Sequence, residues 1–161
     1  MSEMYKGHNK TACTNQQAIS EAFLKLLQNE PYEQITVSEL CKEAGVSRQT
    51  FYTLFQKKEN VLLYEINKNY GFCCQCDCTK ENVKKLFTNY LKENQSFLKI
   101  LIDQGYSNLL YDTFYEAFKG FKDEYYASFI AGGMISMIQK FVENDTPLEV
   151  INRVLEELSF D

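Results

Sequence analysis

The stretch Thr36-Val-Ser-Glu-Leu-Cys-Lys-Glu-Ala-Gly-Val-Ser-Arg-Gln-Thr-Phe-Tyr-Thr-Leu-Phe-Gln-Lys-Lys-Glu59 has the pattern of a helix-turn-helix. Thr36 and Glu39 have the spacing of a capping box, which begins one helix. Gly45 ends that helix, because glycine adopts the left-handed conformation of a C-terminal cap at little steric cost. Ser47 then occupies the N-cap position of a second helix. The sequence therefore predicts two short helices joined by a sharp turn.

The second of these helices has an inner and an outer face. Phe51, Leu54 and Phe55 recur at the spacing of a buried stripe. The outer residues suit DNA, because arginine reads guanine, glutamine reads adenine, and hydroxyls reach phosphates. A lysine at the start of the next helix opposes the helix dipole, which indicates a phosphate partner. The predicted DNA contacts are Thr36, Ser47, Arg48, Gln49, Thr50, Tyr52, Lys57 and Lys58.

The run Ala44-Gly-Val-Ser-Arg-Gln-Thr-Phe-Tyr-Thr-Leu-Phe-Gln-Lys-Lys-Glu-Asn-Val-Leu62 resembles the DNA-binding signature of the tetracycline-repressor (TetR) family of bacterial regulators. The match keeps Ala-Gly-Val-Ser, the Phe-Tyr pair, the aromatic residue three positions later and the Lys-Glu of the following helix. The resemblance implies an all-α fold, with a three-helix DNA-binding head in residues 1–57 and a C-terminal helical bundle in residues 58–161. That bundle dimerises in the family and often holds an effector. The alternative is an unrelated helix-turn-helix that contacts protein.

Composition favours a soluble helical protein. The chain has 161 residues, enough for one small head and one body, and it has only two prolines and no alternating strand pattern. Its longest strongly apolar run, residues 129–138, is far shorter than the roughly 20 residues of a membrane span. The polar start does not resemble a signal peptide, so we expect a cytoplasmic protein with its six cysteines as thiols.

The charge is unusual for a DNA-binding protein. The formal net charge is -5, and residues 1–60 carry seven basic and seven acidic side chains. Phosphate neutralisation supplies most nonspecific DNA affinity, so a single neutral head should bind weakly unless it is paired. Many TetR relatives carry more arginine and lysine in and before the first helix than Lys10-Thr-Ala-Cys-Thr-Asn-Gln-Gln17 provides. A coregulator or protein-interaction module whose head does not bind DNA alone is therefore the alternative function.

Helices are predicted on both sides of the motif. Thr14 and Gln17 have capping-box spacing, so a first helix is expected to begin there and to end by Pro31. A fourth helix is expected to fade near Gly71, and a fifth to begin after Thr79. Two more follow before Thr146, which is the predicted cap of an eighth.

The seventh helix is apolar nearly all round and contains Ala131-Gly-Gly133. Two adjacent glycines cost on the order of 2 kcal/mol relative to alanine, which indicates close approach by another helix. Residues 129–135 and 141–144 are also similar to the branch of the TetR family that includes dihydroxyacetone-kinase-type regulators. We expect a homodimer, and the alternative is a buried helix in a monomer. The predicted interface is Phe129, Gly132, Gly133, Ile135, Met137, Phe141, Ile151, Val154, Leu155 and Leu158.

Aromatic residues of the body have two interpretations. They can line an apolar effector pocket with hydroxyl handles, or they can simply fill the core. The candidates for effector binding are Tyr90, Phe97, Tyr106, Phe114, Phe118 and Tyr126.

Cys73, Cys74, Cys76 and Cys78 form a cluster that is either a redox or metal-binding switch or an incidental group of thiols. Structural zinc sites usually show paired Cys-x2-Cys knuckles or histidine ligands, and His8 is far away in sequence. No metal or cofactor is therefore predicted. No catalytic set of side chains emerges either, so the protein is not expected to be an enzyme.

The predicted function is sequence-specific regulation of transcription by binding a double-stranded DNA operator. A repressor that a small-molecule effector releases is the expected form. Two recognition helices about 34 Å apart match half-sites one DNA turn apart, and an effector that changes this spacing would weaken binding.

Overall fold

The computed structural model describes residues 9–68, 80–120 and 123–157 of the chain. These residues form α-helices and turns and contain no strand, which confirms the all-α prediction. The helices are α1 (Lys10–Leu27), α2 (Val37–Ala44), α3 (Arg48–Leu54), α4 (Lys58–Lys68), α5 (Lys80–Asp103), α6 (Ser107–Phe118), α7 (Glu124–Glu143) and α8 (Leu148–Glu157).

The chain packs as two compact units, which divide between Glu65 and Ile66. The division falls inside α4, whereas the sequence placed a domain boundary between residues 57 and 58, at the start of that helix. We call the part through Glu65 the N-terminal unit and the part from Ile66 the C-terminal unit. No helix of the described residues is long and apolar enough to cross a membrane.

The first helix begins earlier than the sequence predicted. Asn9 has extended backbone angles, and its side-chain Oδ1 accepts a hydrogen bond of 3.0 Å from the Thr11 amide. Thr14, the predicted cap, instead lies within the helix, where its hydroxyl donates to the Lys10 carbonyl over 3.0 Å. The prediction at Thr14 is wrong because the Asn9 side chain, five residues earlier, already caps the first amides of the helix.

The helix-turn-helix forms as the motif predicts. The Glu39 carboxylate accepts hydrogen bonds from the Thr36 amide (2.9 Å) and hydroxyl (2.6 Å), while the Glu39 amide donates to the Thr36 hydroxyl (3.2 Å). Gly45 ends α2 with a φ of 66°. The Val46 amide then donates to the Cys41 carbonyl at 3.0 Å, which closes the turn. The Ser47 hydroxyl caps α3 by accepting from the Thr50 amide at 3.0 Å.

An aromatic core holds the N-terminal unit together. Phe23, Phe51 and Phe55 are fully buried, and α1 packs against both α2 and α3. The Phe51 and Phe55 rings lie 6.0 Å apart, and the Phe55 ring meets Tyr64 of α4 edge to face at 5.5 Å. These contacts fix the inner face of α3, so its opposite face is turned toward solvent.

The C-terminal unit is built around α7. This helix packs against α5 and α6, and α8 packs against α5. Phe114 of α6 is fully buried, with its ring 6.3 Å from Phe87 and 6.1 Å from Tyr90 in edge-to-face arrangements. Between α5 and α6 the chain turns at Gly105, whose φ of 81° favours glycine.

Candidate nucleic-acid interface

The outer face of α3 carries polar side chains at its first turn. Ser47, Arg48 and Gln49 are exposed, Thr50 is half-buried, and Tyr52 is 46% exposed. The hydroxyls of Ser47 and Thr50 lie 2.9 Å apart. The structure therefore brings five of the predicted DNA contacts together on one short helix whose other face is locked into the core.

A polar cleft of about 360 Å³ lies between the start of α1 and α3. Most of the residues that line it carry amide or hydroxyl groups, which are typical partners of DNA phosphates. The contribution of α1 to this cleft is not among the predicted DNA contacts, because the sequence predicts that the helix begins only at Thr14. Asparagine immediately before Lys10 is the signal that could have found it. The lining residues are Asn9, Thr11, Ala12, Asn15, Gln49, Thr50, Thr53 and Leu54.

Two predicted contacts outside α3 are also exposed. Lys57 follows α3, and Thr36 stands at the start of α2. The Thr36 hydroxyl donates to the Glu39 carboxylate, so this residue has a capping role in the structure whether or not it also reaches DNA. Elsewhere in the unit, Lys25 forms an ion pair with Glu43, so its charge is partly neutralised within the protein.

The structure gives Lys58 a role other than the predicted phosphate contact. Its ammonium donates to the backbone carbonyls of Tyr32 (2.6 Å), Ile35 (2.7 Å) and Glu33 (3.4 Å). It also lies 4.1 Å from the centroid of the Tyr32 ring. An ammonium has three donors and these are directed at three carbonyls. The donors of Lys58 are thus engaged within the protein.

Cys41 lies beneath this surface and is buried, as its position in the helix pattern predicts. Burial raises the pKa of the Cys41 thiol, and the nearby Arg48 guanidinium only partly opposes this shift. Cys41 is therefore a core residue, and its burial and raised pKa both disfavour the reactive thiolate form.

The C-terminal unit presents an apolar helix face, which we call the α7 face. Tyr125 and Phe129 are 79% and 74% exposed, and Gly132 and Gly133 continue the same stripe at helical spacing. A Cβ built on either glycine meets no atom of the described residues within 4 Å, apart from the backbone of α7 itself. The space that the two glycines leave is therefore open to the outside of the unit.

An apolar groove of about 390 Å³ adjoins the α7 face. Side chains from α5, α7 and α8 line it, and Tyr126 and Ser136 supply its hydroxyl groups. Burial raises the pKa of the Tyr126 hydroxyl, so the group is neutral at physiological pH. The lining residues are Val83, Phe87, Tyr126, Phe129, Ile130, Gly133, Met134, Ser136, Met137, Val154 and Leu155.

The predicted dimer residues divide into two groups. Phe129, Gly132, Gly133 and Val154 are exposed, and Met137 is half-buried. The other described members are buried in their own unit, so they do not belong to its exposed surface: Ile135, Phe141, Ile151 and Leu155. Leu158 lies outside the described residues.

The predicted effector residues are mostly core residues in the structure. The structure buries four of them in the core: Tyr90, Phe97, Phe114 and Phe118. Tyr106 is half-buried at the start of α6, and only Tyr126 borders the apolar groove. Core packing is thus the observed use of most of these side chains.

The cysteine cluster of Cys73, Cys74, Cys76 and Cys78 lies outside the described residues. Within the described ranges, no group of histidine, cysteine, aspartate and glutamate side chains is arranged to hold a metal ion.

The N-terminal unit matches a known protein family. Residues 19–64 match the family described as bacterial regulatory proteins of the tetR family. The chain is also similar to DhaS of Lactococcus lactis subsp. lactis (strain IL1403), described as the HTH-type activator of dhaKLM operon transcription. The two are 34% identical over 121 residues, which cover 67% of this chain and 60% of DhaS. The match thus spans about 60% of that relative's length.

Three solved structures share the fold. A DhaS described as dihydroxyacetone kinase operon activator has a TM-score of 0.65 at 22% identity, covering 89% of this chain and 92% of its own. A protein of Listeria innocua reaches 0.72 at 18% identity, over 98% and 97% of the two chains. The fatty acid degradation regulator FadR of Bacillus halodurans reaches 0.56 at 21% identity, over 96% and 95%. At such identities these structures show the fold alone.

Proposed function

Because this chain is a TetR-family-like protein of the branch that includes DhaS, we propose that it regulates transcription by binding double-stranded operator DNA through α3. The observation that carries the proposal is the first turn of α3. Arg48 and Gln49 are exposed there, on a helix that Ser47 caps and that Phe51 anchors in the core. A short capped helix with a buried inner face is suited to enter the major groove.

Each group on this surface has a distinct task in the proposal. Arg48 and Gln49 read base edges, since their side chains form bidentate pairs with guanine and adenine. Ser47, Thr50 and Tyr52 offer hydroxyls to phosphates, and Thr36 and Lys57 extend the backbone contact. The amide and hydroxyl groups of the polar cleft add phosphate donors from the start of α1.

The balanced charge of residues 1–60, with seven basic and seven acidic side chains, makes pairing part of the proposal. A single unit neutralises few phosphates, so its affinity should be low until two units bind two half-sites at once. We propose a homodimer through the α7 face together with the exposed Val154 of α8. Exposed aromatic side chains beside two open glycines favour a helix partner, because soluble proteins rarely leave such apolar patches uncovered.

The sign of regulation has two candidates. The sequence led us to expect a repressor that an effector releases, whereas the DhaS relatives are described as activators. A reporter gene behind the protein's own upstream region separates them: a repressor lowers expression when the protein is supplied, and an activator raises it. Action on DNA also places the protein in the cytoplasm in this proposal, and the apolar groove is the candidate effector site of the C-terminal unit.

DNA binding is tested with the protein's own upstream region in a salt titration. Arg48→Ala should weaken binding by about 1 to 3 kcal/mol, because it removes a base contact. Lys99→Ala is the control, since Lys99 is an exposed lysine on α5 that pairs with Asp103. Equal affinity of wild type and Arg48→Ala would remove α3 as the reading helix. A wild type that does not bind even at low salt would favour the alternative, a coregulator that acts through protein contacts.

The homodimer is tested by sedimentation at micromolar concentration. Gly133→Leu should give a folded monomer, because a Cβ at this position has open space around it, whereas a leucine side chain would collide with a partner helix. Gly120→Leu, at the end of α6, is the matched control, since it too has open space around its Cβ. A monomeric wild type, or an unchanged dimer in Gly133→Leu, would exclude this interface.

A further inference from the structure

Lys58 lies at a position where the dipole of its own helix is unfavourable to a cation. It is the first residue of α4, and the amide groups of a helix start carry partial positive charge. The structure supplies the compensation from outside the helix. The carbonyls of Tyr32, Glu33 and Ile35 converge on the ammonium, and the Tyr32 ring faces it. The partial negative charges of the carbonyls and of the ring face stabilise the ammonium at this position.

The same residues connect three parts of the N-terminal unit. Tyr32 and Ile35 belong to the turn between α1 and α2, and both are buried. The Tyr32 ring also packs edge to face against Phe23 of α1, at 6.0 Å. Lys58 therefore joins the start of α4 to the turn before the helix-turn-helix and, through Tyr32, to α1.

A second connection joins α4 to the end of α3. The buried Asn60 side chain donates a hydrogen bond of 2.6 Å to the Phe55 carbonyl, which is the C-cap residue of α3. Between them the chain turns through Gln56, which has a φ of 61°. Such a conformation is uncommon outside glycine and persists only where its surroundings fix it. Lys58 and Asn60 both follow this turn, in the first turn of α4, and each reaches back to an earlier part of the unit.

We propose that Lys58 is a positioning residue that fixes the orientation of α3 by tying α4 to the α1–α2 turn, and that it does not contact DNA phosphate. The inference rests on the proposed DNA binding. Lys57, one residue earlier and exposed, has no such set of carbonyls among the described contacts and is the lysine expected at the phosphate. In this proposal Lys58 binds backbone carbonyls of the protein, whereas Lys57 binds a DNA phosphate.

Salt dependence distinguishes the two tasks. A lysine that contacts phosphate contributes about one unit to the slope of log affinity against log salt, whereas a positioning residue contributes none. We would compare Lys58→Met with Lys57→Met, on the upstream DNA, at a temperature where thermal unfolding shows both variants to be folded. Lys58→Met keeps the apolar stem against Tyr32 and removes the donors.

For Lys58→Met we expect an affinity loss of at least about tenfold, an unchanged salt slope and a lower melting temperature. For Lys57→Met we expect a slope lower by about one and an unchanged melting temperature. Lys58→Gln keeps two N–H donors without the charge, so it should recover part of the affinity at the wild-type slope. It also provides the comparison if Lys58→Met does not fold.

Three results would overturn the inference. A slope lower by about one in Lys58→Met or Lys58→Gln would make Lys58 a phosphate contact. A lower melting temperature with wild-type affinity would make it a purely structural residue. Failure of the wild type to bind the DNA at all, measured first, would refute the proposed function itself and the inference with it.

Discussion

Phe51 and Phe129 show how differently the two units of this protein use an aromatic side chain. Phe51 is fully buried beneath the first turn of α3 and contacts Phe55, whereas Phe129 is 74% exposed on α7. The N-terminal unit buries the rings of Phe23, Phe51 and Phe55 and turns mainly polar groups outward. The C-terminal unit also has a buried aromatic core around Phe114, but it leaves an apolar helix face open to solvent.

The two units differ in how much of their apolar surface is covered by their own residues. In the N-terminal unit, the helix caps, the turn at Gly45 and the aromatic core are all formed by contacts within the unit, and the exposed groups of α3 are mainly polar. In the C-terminal unit, Tyr125 and Phe129 lie in water beside two glycines that nothing in the described chain approaches. Exposed apolar patches of this kind mark interaction surfaces, which supports the proposed homodimer through the α7 face.

The largest contrast is expected from truncating the two phenylalanines. Phe51→Ala should lower the free energy of unfolding by about 3 to 5 kcal/mol, because it empties a closed part of the core. Phe129→Ala should change the stability of the monomer by only about 0.5 kcal/mol in either direction, because its ring is already in water. Denaturant titration, at concentrations where sedimentation shows monomer, measures both. Similar losses in the two variants would contradict the division drawn here.

A smaller contrast, of opposite sign, is expected from two glycines. Gly45→Ala should cost about 1 to 2 kcal/mol, because Gly45 has a φ of 66° and a Cβ there is strained even though no atom lies near it. Gly133→Ala should instead stabilise the monomer by about 0.5 to 1 kcal/mol, because Gly133 lies inside a helix with open space around it. Thermal unfolding of monomeric samples gives both signs. A destabilising Gly133→Ala would mean that a group of the same chain lies close to Gly133 itself.

The sequence predicts features that depend on neighbouring residues better than features that depend on distant ones. Caps are local, since Thr36 and Glu39 are three residues apart, and Gly45 acts on its own backbone. The sequence therefore predicts the helix-turn-helix and its exposed face correctly, and residues 19–64 match the tetR-family model. The error at Thr14 arose because two polar residues with capping ability lie close together at Asn9 and Thr14.

The rest depends on groups that are distant in sequence. Helical periodicity marks Ile135 and Phe141 as apolar, but it does not tell a buried side chain from one that faces a partner. The same limit applies to Tyr90 and Phe114, which the sequence allows in a pocket and the structure packs in the core. Lys58 is the clearest case, because its carbonyl partners lie 23 to 26 residues away in the chain.

The smallest expected effect concerns the pH dependence of the capping box. Hydrogen bonds from the Thr36 hydroxyl and amide lower the pKa of the Glu39 carboxyl below its ordinary value of 4.5. A lowered pKa in the folded state means that the carboxylate stabilises the fold fully above the pKa of the unfolded chain. That contribution is lost as the pH falls through the folded pKa.

Glu39→Gln should therefore remove a small part of the acid sensitivity of the N-terminal unit, because glutamine accepts the same Thr36 hydrogen bonds at every pH. The measurement is the melting temperature between neutral pH and about pH 3, with Glu30→Gln as a control in the same unit. Wild type and Glu30→Gln should lose stability in parallel, while Glu39→Gln should fall less. The Thr36–Glu39 capping box lies in the N-terminal unit, so the effect should be seen in the unfolding of that unit. Parallel curves for all three proteins would show that the exposed capping box is too well screened to link folding to pH.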